Sequence, residues 1–592
     1  MDVMEEKSVR EVDVLILGAG LAGLTLARQL LLARPEIDIL MVDRLAEVPN
    51  PKQKVGEATV QVSGYYYSRV LDMEEHLLRE HYLKYNLRFY WKSQRGGDVW
   101  EDLSQSYIRK ISNIATYQLD RNLFEEAVLA KNRESPNFEL VNPITNLDVD
   151  LAEEGPHAFR FEIDGREVEG RAAWVVDASG RNRYLVRRQK LDRPSPIKHG
   201  ASFLWVDGLL DPEKNCTALD RKTIRTRKER SMLGHFPTFL ATNHYCGEGY
   251  WFWEIPLHGK TSLGLVYDSA NVNSKDVATA EKLVEWICRE YPLYARDLPK
   301  REILHHSGFT SFALDSGQTV SASNWALCGE ACRFTDPLYS PGGDLISIYN
   351  TLIADAILTR DRRELEAKVR FYEPLARAVY EAYVPSFSVS YCTLGDQECF
   401  SLRYVWELTV YFAYYVFPFI NDLHVDRAFL PAFLRRFGQL GPINQGVHRL
   451  LAAYYRWKKE NVVLEAPEPV FFEFTEVGAL AQAELTFYKV GVDLDEARQV
   501  LDEQLENLRD LARWTAANVA AAVLDDERAA INAAFIRGID IEDLQFDPED
   551  MARRLEAACR ETGEAYAWRF EVPCMKRFRT ERLEVEEMEK AG

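Results

Sequence analysis

The feature that most constrains this chain is a glycine pattern that directly follows a short apolar run near the N-terminus. Residues 12–17 (VDVLIL) have the composition of a buried strand, and residues 22–33 have that of a helix. Between them, Gly18, Gly20 and Gly23 form GxGxxG. The first glycine permits a tight turn, the second lets backbone approach a pyrophosphate, and the third lets the helix pack closely. The segment predicts a strand, a turn and a helix whose first amides face a diphosphate.

A carboxylate follows at the position that a nucleotide-binding unit requires. The next apolar run, residues 37–42, ends at Asp43, which completes a βαβ unit and is placed to hold a ribose hydroxyl. Strand, helix and carboxylate together make the glycine pattern a strong indication of a dinucleotide site. A tight turn without a ligand is the alternative interpretation, and the pattern does not choose between NAD and FAD.

The rest of the chain divides by its periodicity. Residues 140–176 alternate with a period of two, which predicts a sheet region that returns to the nucleotide domain at Asp177. Strand patterns between residues 200 and 316, such as SFLWVDG and TSLGLVYD, predict further sheet. Beyond about residue 366 the chain is rich in helix-forming stretches such as 495–525.

Composition excludes several classes of protein. The 592 residues include 92 acidic and 72 basic side chains, and the formal charge of −20 would repel the phosphates of a nucleic acid. The nine cysteines are scattered and include no CxxC pair, which argues against a disulfide framework or a zinc ribbon. No histidine spacing indicates a metal site. The acidic N-terminal segment lacks the apolar core of a secretory signal, so we expect a cytoplasmic protein.

No apolar run reaches the roughly 20 residues that a membrane span requires. The nearest one, residues 408–420 (LTVYFAYYVFPFI), is interrupted by Pro418 and contains tyrosines whose hydroxyl groups need partners. We interpret it as a buried helix. A membrane-surface patch and the lining of a pocket for a large apolar substrate are the alternatives.

Two later segments resemble the FAD pattern of the glutathione-reductase-type flavoprotein fold. They are DASGR, which begins at Asp177, and a segment in which Glu330 precedes Asp336 and a helix. The resemblance implies that a late carboxylate contacts the ribityl chain, here Glu330 in the place of the usual Asp. Arg121, in YQLDR, is similar to a helix-start arginine that FAD monooxygenase-like proteins place near the flavin; a solvated helix residue is the alternative.

The reducing equivalents must come from elsewhere. No second GxGxxG occurs in the chain, so a dedicated NADPH domain is not expected. We therefore expect FAD to arrive reduced, as FADH2, from a separate NAD(P)H-dependent flavin reductase.

The segment GYWFWEIP contains WxWxIP, which resembles the signature of flavin-dependent halogenases. The resemblance implies that Trp251 and Trp253 form a wall that keeps the organic substrate away from the flavin. A strand whose alternate tryptophans face the core is the alternative interpretation. KVGEAT at residues 54–59, followed by LKYNLRF, is similar to the family's flavin-side segment and its essential lysine, which places that lysine at Lys84; Lys92 is a rival with a poorer match.

The family resemblance also implies a role for the lysine. Its chemistry produces hypohalous acid, which an ammonium can hydrogen-bond, or an amine can trap, beside an electron-rich arene. The turn before the helix departs from the tryptophan-specific branch, because Tyr339 stands where that branch has a catalytic glutamate. Pro341 removes one amide from the turn that binds halide in the family, so we expect Ser340, Gly342 and Gly343 to form the halide site.

We expect an α/β fold with a doubly wound FAD-binding core at residues 1–365, a β-sheet substrate face at about 195–316, and a helical region at 366–592. The expected function is two-component halogenation of a phenol- or pyrrole-like acceptor with FADH2, dioxygen and chloride or bromide. The acceptor is expected to be large and apolar or bound to a carrier protein, for which two short basic segments would be docking candidates, Arg435-Arg436 and Arg456 with Lys458-Lys459. An FAD monooxygenase or dehydrogenase is the first alternative, and a flavin-containing binding protein without turnover is the second.

Overall fold

The computed structural model describes residues 10–211, 238–580 and 582, with the side chains of residues 487 and 488 outside the description. Residues 1–9, which carry most of the N-terminal segment behind the cytoplasmic prediction, lie outside the described residues. The chain forms two compact units that interleave along the sequence. The first is Met1–Tyr82, Leu119–Ser195 and Ala313–Tyr380; the second is Leu83–Gln118, Pro196–Phe312 and Glu381–Gly592. The predicted division at residue 365 stays a prediction.

The first unit is built on an eight-stranded sheet with a parallel centre. In spatial order the parallel strands are Trp325–Leu327, Arg166–Asp177, Arg10–Leu17, Ile39–Val42 and Phe138–Val141. Val320–Ser321, His157–Ile163 and Thr145–Asp150 extend the sheet by antiparallel pairing, and Asp192–Arg193 pairs with Asp315–Ser316 outside it. The predicted strands are therefore present, and the alternating region returns to the first strand at Asp177 as expected.

Helices complete the first unit and confirm the predicted α/β class. They are Leu21–Ala33, Gln61–Tyr65 with a π-helical continuation at Tyr66–Val70, Glu74–Glu80, Arg121–Arg133, Tyr184–Arg188, Pro341–Leu358 and Arg362–Glu381. The parallel strands are buried, as Leu15, Ile16 and Met41 show with no exposed area. Parallel sheets need such continuous apolar strands because each strand is covered on both faces.

The second unit contains another eight-stranded sheet, mainly antiparallel. In spatial order its strands are Ile303–Phe309, His199–Asp207, Lys260–Asp268, Tyr250–Leu257, Thr242–Gly247, Leu87–Lys92, Leu103–Tyr107 and Phe471–Phe472; Tyr82–Leu83 and Tyr117–Gln118 are short additional strands. The predicted strand patterns between residues 200 and 316 are confirmed. One face of this sheet packs in an aromatic and aliphatic core with Trp286 and Ile287 of the helix Ala280–Glu290.

The C-terminal part of the second unit is helical, as predicted. Its helices are Val384–Ser388, Gln397–Tyr411, Phe417–Ile420, Leu430–Asn461, Gly478–Glu484, Leu494–Leu524, Ala533–Arg537 and Pro548–Glu561, with π-helical Phe412–Val416 between the second and third. Asp493 caps the helix Leu494–Leu524 by accepting the amides of Asp495 and Glu496, and Asp525 ends it in a left-handed conformation. The residues of the apolar run 408–420 are all buried, which confirms the buried-helix interpretation.

Two side chains of the proposed basic docking segments are not surface charges. Lys458 is 4% exposed, and its Nζ lies 2.9 Å from both Asp396 and Glu398. Arg436 is also buried and is paired with Asp502 at 2.5 Å. Lys458 neutralises two buried carboxylates, and Arg436 is paired with the exposed Asp502, so neither presents an unpaired charge to a carrier protein. Arg435, Arg456 and Lys459 of the same segments are exposed, and docking there stays a prediction.

Candidate functional site

The turn after the first strand places backbone atoms in close contact. Gly18 has a φ of +108°, and a Cβ built on it would lie 2.5 Å from the carbonyl oxygen of Ala178. A Cβ on Gly23 would lie 2.3 Å from the carbonyl oxygen of Gly18. These two glycines are therefore required by packing. A Cβ on Gly20 would meet nothing within 4 Å, so Gly20 faces open space.

That open space is part of a cleft of about 800 Å³ in the first unit. Leu17, Val42 and Ala178, at the carboxyl ends of three parallel strands, lie on its wall, which is where open α/β sheets bind ligands. The helix Leu21–Ala33 begins there, and its N-cap Gly20 has no side chain to cover the first-turn amides. These amides and the helix dipole favour an anion. The polar side chains on the wall are Asp43, Arg44, Asn50, Lys52, Gln53, Lys54, Arg121, Glu125, Thr145, Asn146, Ser179, Arg181, Asn182 and Tyr184.

Asp43 is fixed to the glycine turn. Its Oδ2 accepts the amide of Ala19 at 2.8 Å, and its Oδ1 accepts the amide of Leu45 at 2.8 Å. The carboxylate thus lies on the cleft wall in a set orientation, as a ribose-binding residue requires. The uncovered helix start, the free space at Gly20 and the positive balance of the wall fit the diphosphate and ribose of FAD.

Arg121 is held by a buried carboxylate rather than by solvent. Its Nε lies 2.9 Å from Glu125 Oε1, and one terminal nitrogen donates to the carbonyl oxygen of Val55 at 2.7 Å. Glu125 is 1% exposed and also accepts a bond from Lys54 at 2.5 Å. Burial acts to lower the pKa of Arg121, but its interactions with Glu125, Tyr67 and Glu330 together raise that pKa above its usual value. Burial lowers the pKa of Lys54. The solvated-helix interpretation of Arg121 is wrong.

Residues of the two later FAD segments differ in whether they shape a turn or reach the cleft. Asp177 is fully buried, and its two oxygens accept the amides of Ser179 at 2.9 Å and Leu185 at 2.7 Å. It therefore shapes the turn, while Ser179 and Arg181 reach the cleft wall. Glu330, on the turn Gly329–Ala331, is partly exposed. Burial raises the pKa of Glu330, and the charges of Arg181 and Arg121 oppose that effect.

The predicted halide turn is well formed. Asp336 is fully buried and accepts the amide of Leu338 at 3.0 Å. Tyr339 and Ser340 both have positive φ, of 68° and 59°, and the Ser340 amide donates to the carbonyl oxygen of Pro337 at 2.9 Å. The Ser340 amide is thus engaged within the turn.

Pro341 is the first residue of the helix Pro341–Leu358, a position whose N–H has no intrahelical partner in any helix. Its missing donor therefore costs the helix nothing. Gly342 and Gly343 follow in the first turn, and a Cβ on either would lie 3.0–3.1 Å from Phe334 or Ser63. These glycines permit close packing, and their amides are the first-turn donors that remain for an anion.

Lys84 lies in the second unit and is 4% exposed. Its amide donates to the carbonyl oxygen of Thr116 at 2.8 Å, and the Thr116 hydroxyl donates to the Lys84 carbonyl oxygen at 3.1 Å. The rival Lys92 binds Glu290 at 3.0 Å and lies over the ring of Tyr291. Lys92 is therefore committed to structural contacts.

The two tryptophans of WxWxIP point to one face of the strand Tyr250–Leu257. Their ring centroids are 5.6 Å apart, and each residue is 3% exposed. Trp253 donates from Nε1 to Ser262 Oγ at 3.0 Å, and a Cβ on Gly264 would lie 2.1 Å from the Trp253 ring. The indoles are thus rigidly packed, as a barrier requires.

Sequence reasoning missed His244, which joins this cluster. Its ring is 5.5 Å from that of Trp251, and the positive charge of Lys84 adds to burial in lowering the pKa of His244 to about 3. The second unit therefore places a neutral imidazole beside Trp251 and opposite Trp253, where the charge of Lys84 also acts on it. The hairpin formed by the strands Thr242–Gly247 and Tyr250–Leu257 could have indicated this contact. When Cys246 pairs with Trp251 in that hairpin, His244 stands opposite Trp253.

Two negative findings apply to the described part of the chain, residues 10–211, 238–580 and 582. Within it, no group of three or more His, Cys, Asp or Glu side chains is arranged to hold a metal ion. Nor does any helix there combine the length and apolarity of a membrane span.

Comparison with known proteins identifies the family. The tryptophan halogenase family model matches residues 101–393, a segment that contains WxWxIP and the Pro341 turn but begins after Lys84. The flavin-dependent halogenase chlA of Dictyostelium discoideum is 24% identical over 465 residues, which cover 73% of this chain and 74% of that protein. This chain belongs to the flavin-dependent halogenases.

One further relative and one solved structure are also similar to this chain. A 1H-pyrrole-2-carbonyl-[peptidyl-carrier protein] chlorinase of Pseudomonas fluorescens is 25% identical over 231 residues, 38% of this chain and 47% of that protein. The crystal structure of halogenase PltM with phloroglucinol and FAD superposes with a TM-score of 0.55 at 17% identity, over 84% of this chain and 96% of that one. The halogenase is thus an FAD-dependent enzyme that uses halide, as the sequence resemblance implied.

Proposed function

We propose that this halogenase replaces a C–H bond of a phenol- or pyrrole-like acceptor with C–Cl or C–Br. Bound FADH2 supplies the electrons with which dioxygen and a halide ion form hypohalous acid and water. The acceptor then exchanges one aromatic hydrogen for the halogen, and water leaves. The observation that carries the proposal is that His244, Trp251 and Trp253 share one face of the sheet in a chain of this family, with the charge of Lys84 acting on His244.

Lys84 is proposed to hold hypohalous acid beside the acceptor. Its burial excludes bulk water, in which the reagent would react without selectivity. An ammonium group donates hydrogen bonds to the oxygen of hypohalous acid, and an amine forms a haloamine with it. In either form the side chain turns a diffusible oxidant into a positioned one, which supplies regiochemistry.

Trp251 and Trp253 are proposed to separate the organic acceptor from the flavin. Support comes from their packing: both indoles are buried, in contact with each other, and Trp253 is fixed by Ser262. A wall that moved would admit the acceptor to the flavin and allow oxygen to be transferred to carbon. The proposed roles of Gly342 and Gly343 as halide-binding amides rest on their position in the first helical turn.

The acceptor is proposed to activate its own ring. Tyr339 stands in the place of the glutamate of the tryptophan-specific branch, and a phenol needs less help from such a base. A relative named for a carrier-bound pyrrole and a solved structure with phloroglucinol support the same acceptor class. Arg436 and Lys458 are each paired with a carboxylate, but Arg435, Arg456 and Lys459 are exposed, so a carrier-bound acceptor stays part of the proposal beside a free phenol.

FADH2 is proposed to come from a separate reductase in the cytoplasm. The test combines the purified halogenase, a generic flavin reductase, NADH, FAD, bromide and a panel of phenols and pyrroles, with products read by mass spectrometry. The proposal predicts the paired isotope peaks of bromine in a product that requires the reductase. A product heavier by one oxygen, or lighter by two hydrogens, would establish the monooxygenase or dehydrogenase alternative.

A further inference from the structure

His244 lies between the two strands that bear on the proposed site. In the sheet register it stands opposite Phe89 of the strand Leu87–Lys92, which follows Lys84, and opposite Trp253 of the tryptophan strand. The side chain is 2% exposed. Its ring stacks on Phe89 at 4.8 Å and contacts Trp251 at 5.5 Å. One imidazole therefore contacts both the strand that follows Lys84 and the tryptophan strand.

A hydrogen bond sets the tautomer of this ring. Nδ1 lies 3.1 Å from the backbone carbonyl oxygen of Arg88. A carbonyl oxygen can only accept, so Nδ1 carries the hydrogen, and the neutral ring keeps its lone pair on Nε2. The same bond ties the His244 side chain to the strand that Lys84 precedes.

Lys84 also acts on this ring through its charge. Burial and the Lys84 cation together lower the pKa of His244 to about 3, while the Arg88 and Thr242 backbones oppose the shift. His244 therefore stays neutral at working pH, and two cations never share the buried space. A second cation there would repel the lysine from its position.

We propose that His244 is a positioning residue that fixes the Lys84 segment against the face bearing Trp251 and Trp253. This inference rests on the proposed function and adds a consequence to it. If the lysine is displaced, hypohalous acid is still made but escapes before it meets the acceptor. A substitution of His244 should therefore lower the amount of product formed per hypohalous acid generated, and it should leave the rate of flavin oxidation unchanged.

Two substitutions separate the contacts of His244. His244→Asn keeps an N–H donor for the Arg88 carbonyl but lacks the ring, whereas His244→Phe keeps a ring against Phe89 and Trp251 but lacks the donor. For each folded variant we would measure brominated phenol, bromination of a small hypobromous acid trap, and FADH2 consumption. The matched control is His448→Asn, which removes an equally buried histidine that is bonded to Ser390 at 2.8 Å.

In at least one His244 variant, product per FADH2 falls about tenfold or more, the loss expected when a positioned group moves by about 1 Å. Trapped hypobromous acid rises correspondingly, FADH2 consumption stays within about twofold, and the control keeps its coupling. Unchanged coupling in both His244 variants overturns the inference. If wild type gives no brominated product, the proposed function fails instead; if only Lys84→Ala loses product, the inference alone fails.

A measurement on the wild type covers the case in which neither His244 variant folds. Nitrogen-15 NMR of histidine-labelled protein reports the tautomer and charge of each ring. The inference predicts one ring, identified by its coupling across the bond to the Arg88 carbonyl group, that stays neutral with hydrogen on Nδ1 down to about pH 5. A ring that titrates above that pH, or that carries its hydrogen on Nε2, contradicts the bond on which the inference depends.

Discussion

Tyr294 donates its phenolic hydrogen to Glu254, a carboxyl group that lies inside the segment bearing both tryptophans. Burial raises the pKa of Glu254 to about 8, and the bond from Tyr294 opposes part of that rise. Glu254 points to the face opposite the indoles, where Tyr245 also reaches it at 3.5 Å. The tryptophan strand is thus anchored from behind by a carboxyl group that is mostly protonated at neutral pH.

This anchor makes stability depend on pH. An unfolded glutamate releases its proton near pH 4.5, whereas folded Glu254 holds it to about pH 8. Between those values the folded state binds more protons than the unfolded state, so the stability from this group falls as pH rises. In Glu254→Gln the decline in the free energy of unfolding should be shallower by up to about 1.4 kcal/mol per pH unit. Urea unfolding at several pH values measures it.

The control is the exposed carboxylate of Glu248, which is paired with Lys459 at 2.8 Å. Glu248→Gln should leave the slope unchanged, because a surface pair contributes about 1 kcal/mol or less. Parallel profiles for Glu254→Gln and wild type would mean that Glu254 is ionised in the folded protein.

The glycine turn allows packing and ligand binding to be tested separately. Gly18→Ala would place a Cβ 2.5 Å from a backbone oxygen at a φ of +108°, so it should destabilise the protein by about 2 kcal/mol or more. Gly20→Ala meets no atom within 4 Å and should preserve stability. It should nevertheless weaken FAD binding about tenfold or more, because the Cβ projects where the pyrophosphate approaches. Thermal unfolding measures the effect on stability, and flavin fluorescence titration measures the effect on FAD binding. Equal losses of stability in the two variants would contradict the assignment of Gly18 to packing and of Gly20 to ligand binding.

The carboxylate of Glu125 should control the cleft through Arg121 and Lys54. Glu125→Gln removes the charge that both cations share, and breaking a buried pair costs about 3–5 kcal/mol in stability. FAD affinity should fall as well, because the released cations lose their fixed positions on the cleft wall. The control is Glu126→Gln, on the exposed side of the same helix. It should leave both the free energy of unfolding and the FAD affinity close to their wild-type values.

Pro341 should be neutral for halide use. It is the first residue of its helix, where no intrahelical bond requires an N–H, and Gly342 and Gly343 supply the following amides. Pro341→Ala should therefore keep the KM for bromide within about twofold of wild type. The steady-state bromide dependence of product formation measures this value. A KM that drops by a large factor would mean that the missing amide does limit halide binding.

The nucleotide half of the site could be predicted because its residues are close in sequence. Gly18, Gly23 and Asp43 belong to one βαβ unit, and local steric rules fix their positions. The long helix predicted at 495–525 was equally accessible, since its acidic cap and first turn are visible in the sequence.

The role of His244 could not be predicted in this way. A single histidine in a strand has no motif, and its partners Arg88 and Trp251 become neighbours only through sheet pairing. The burial of Lys458 also depends on distant residues, because Asp396 and Glu398 lie about sixty positions earlier. Its basic neighbours in the sequence suggested a surface patch, whereas tertiary pairing made it internal.

The most direct test of the account compares Lys84→Ala with Lys92→Ala under identical conditions. Both lysines belong to the same sheet region, but Lys92 is committed to Glu290 and Tyr291. With FADH2, dioxygen, bromide and a phenol acceptor, mass spectrometry should detect the paired bromine isotope peaks for wild type and Lys92→Ala. If Lys84 holds hypohalous acid beside the acceptor, Lys84→Ala should give no such product, although that variant still consumes FADH2. Brominated phenol from Lys84→Ala at the wild-type yield would contradict this role of Lys84.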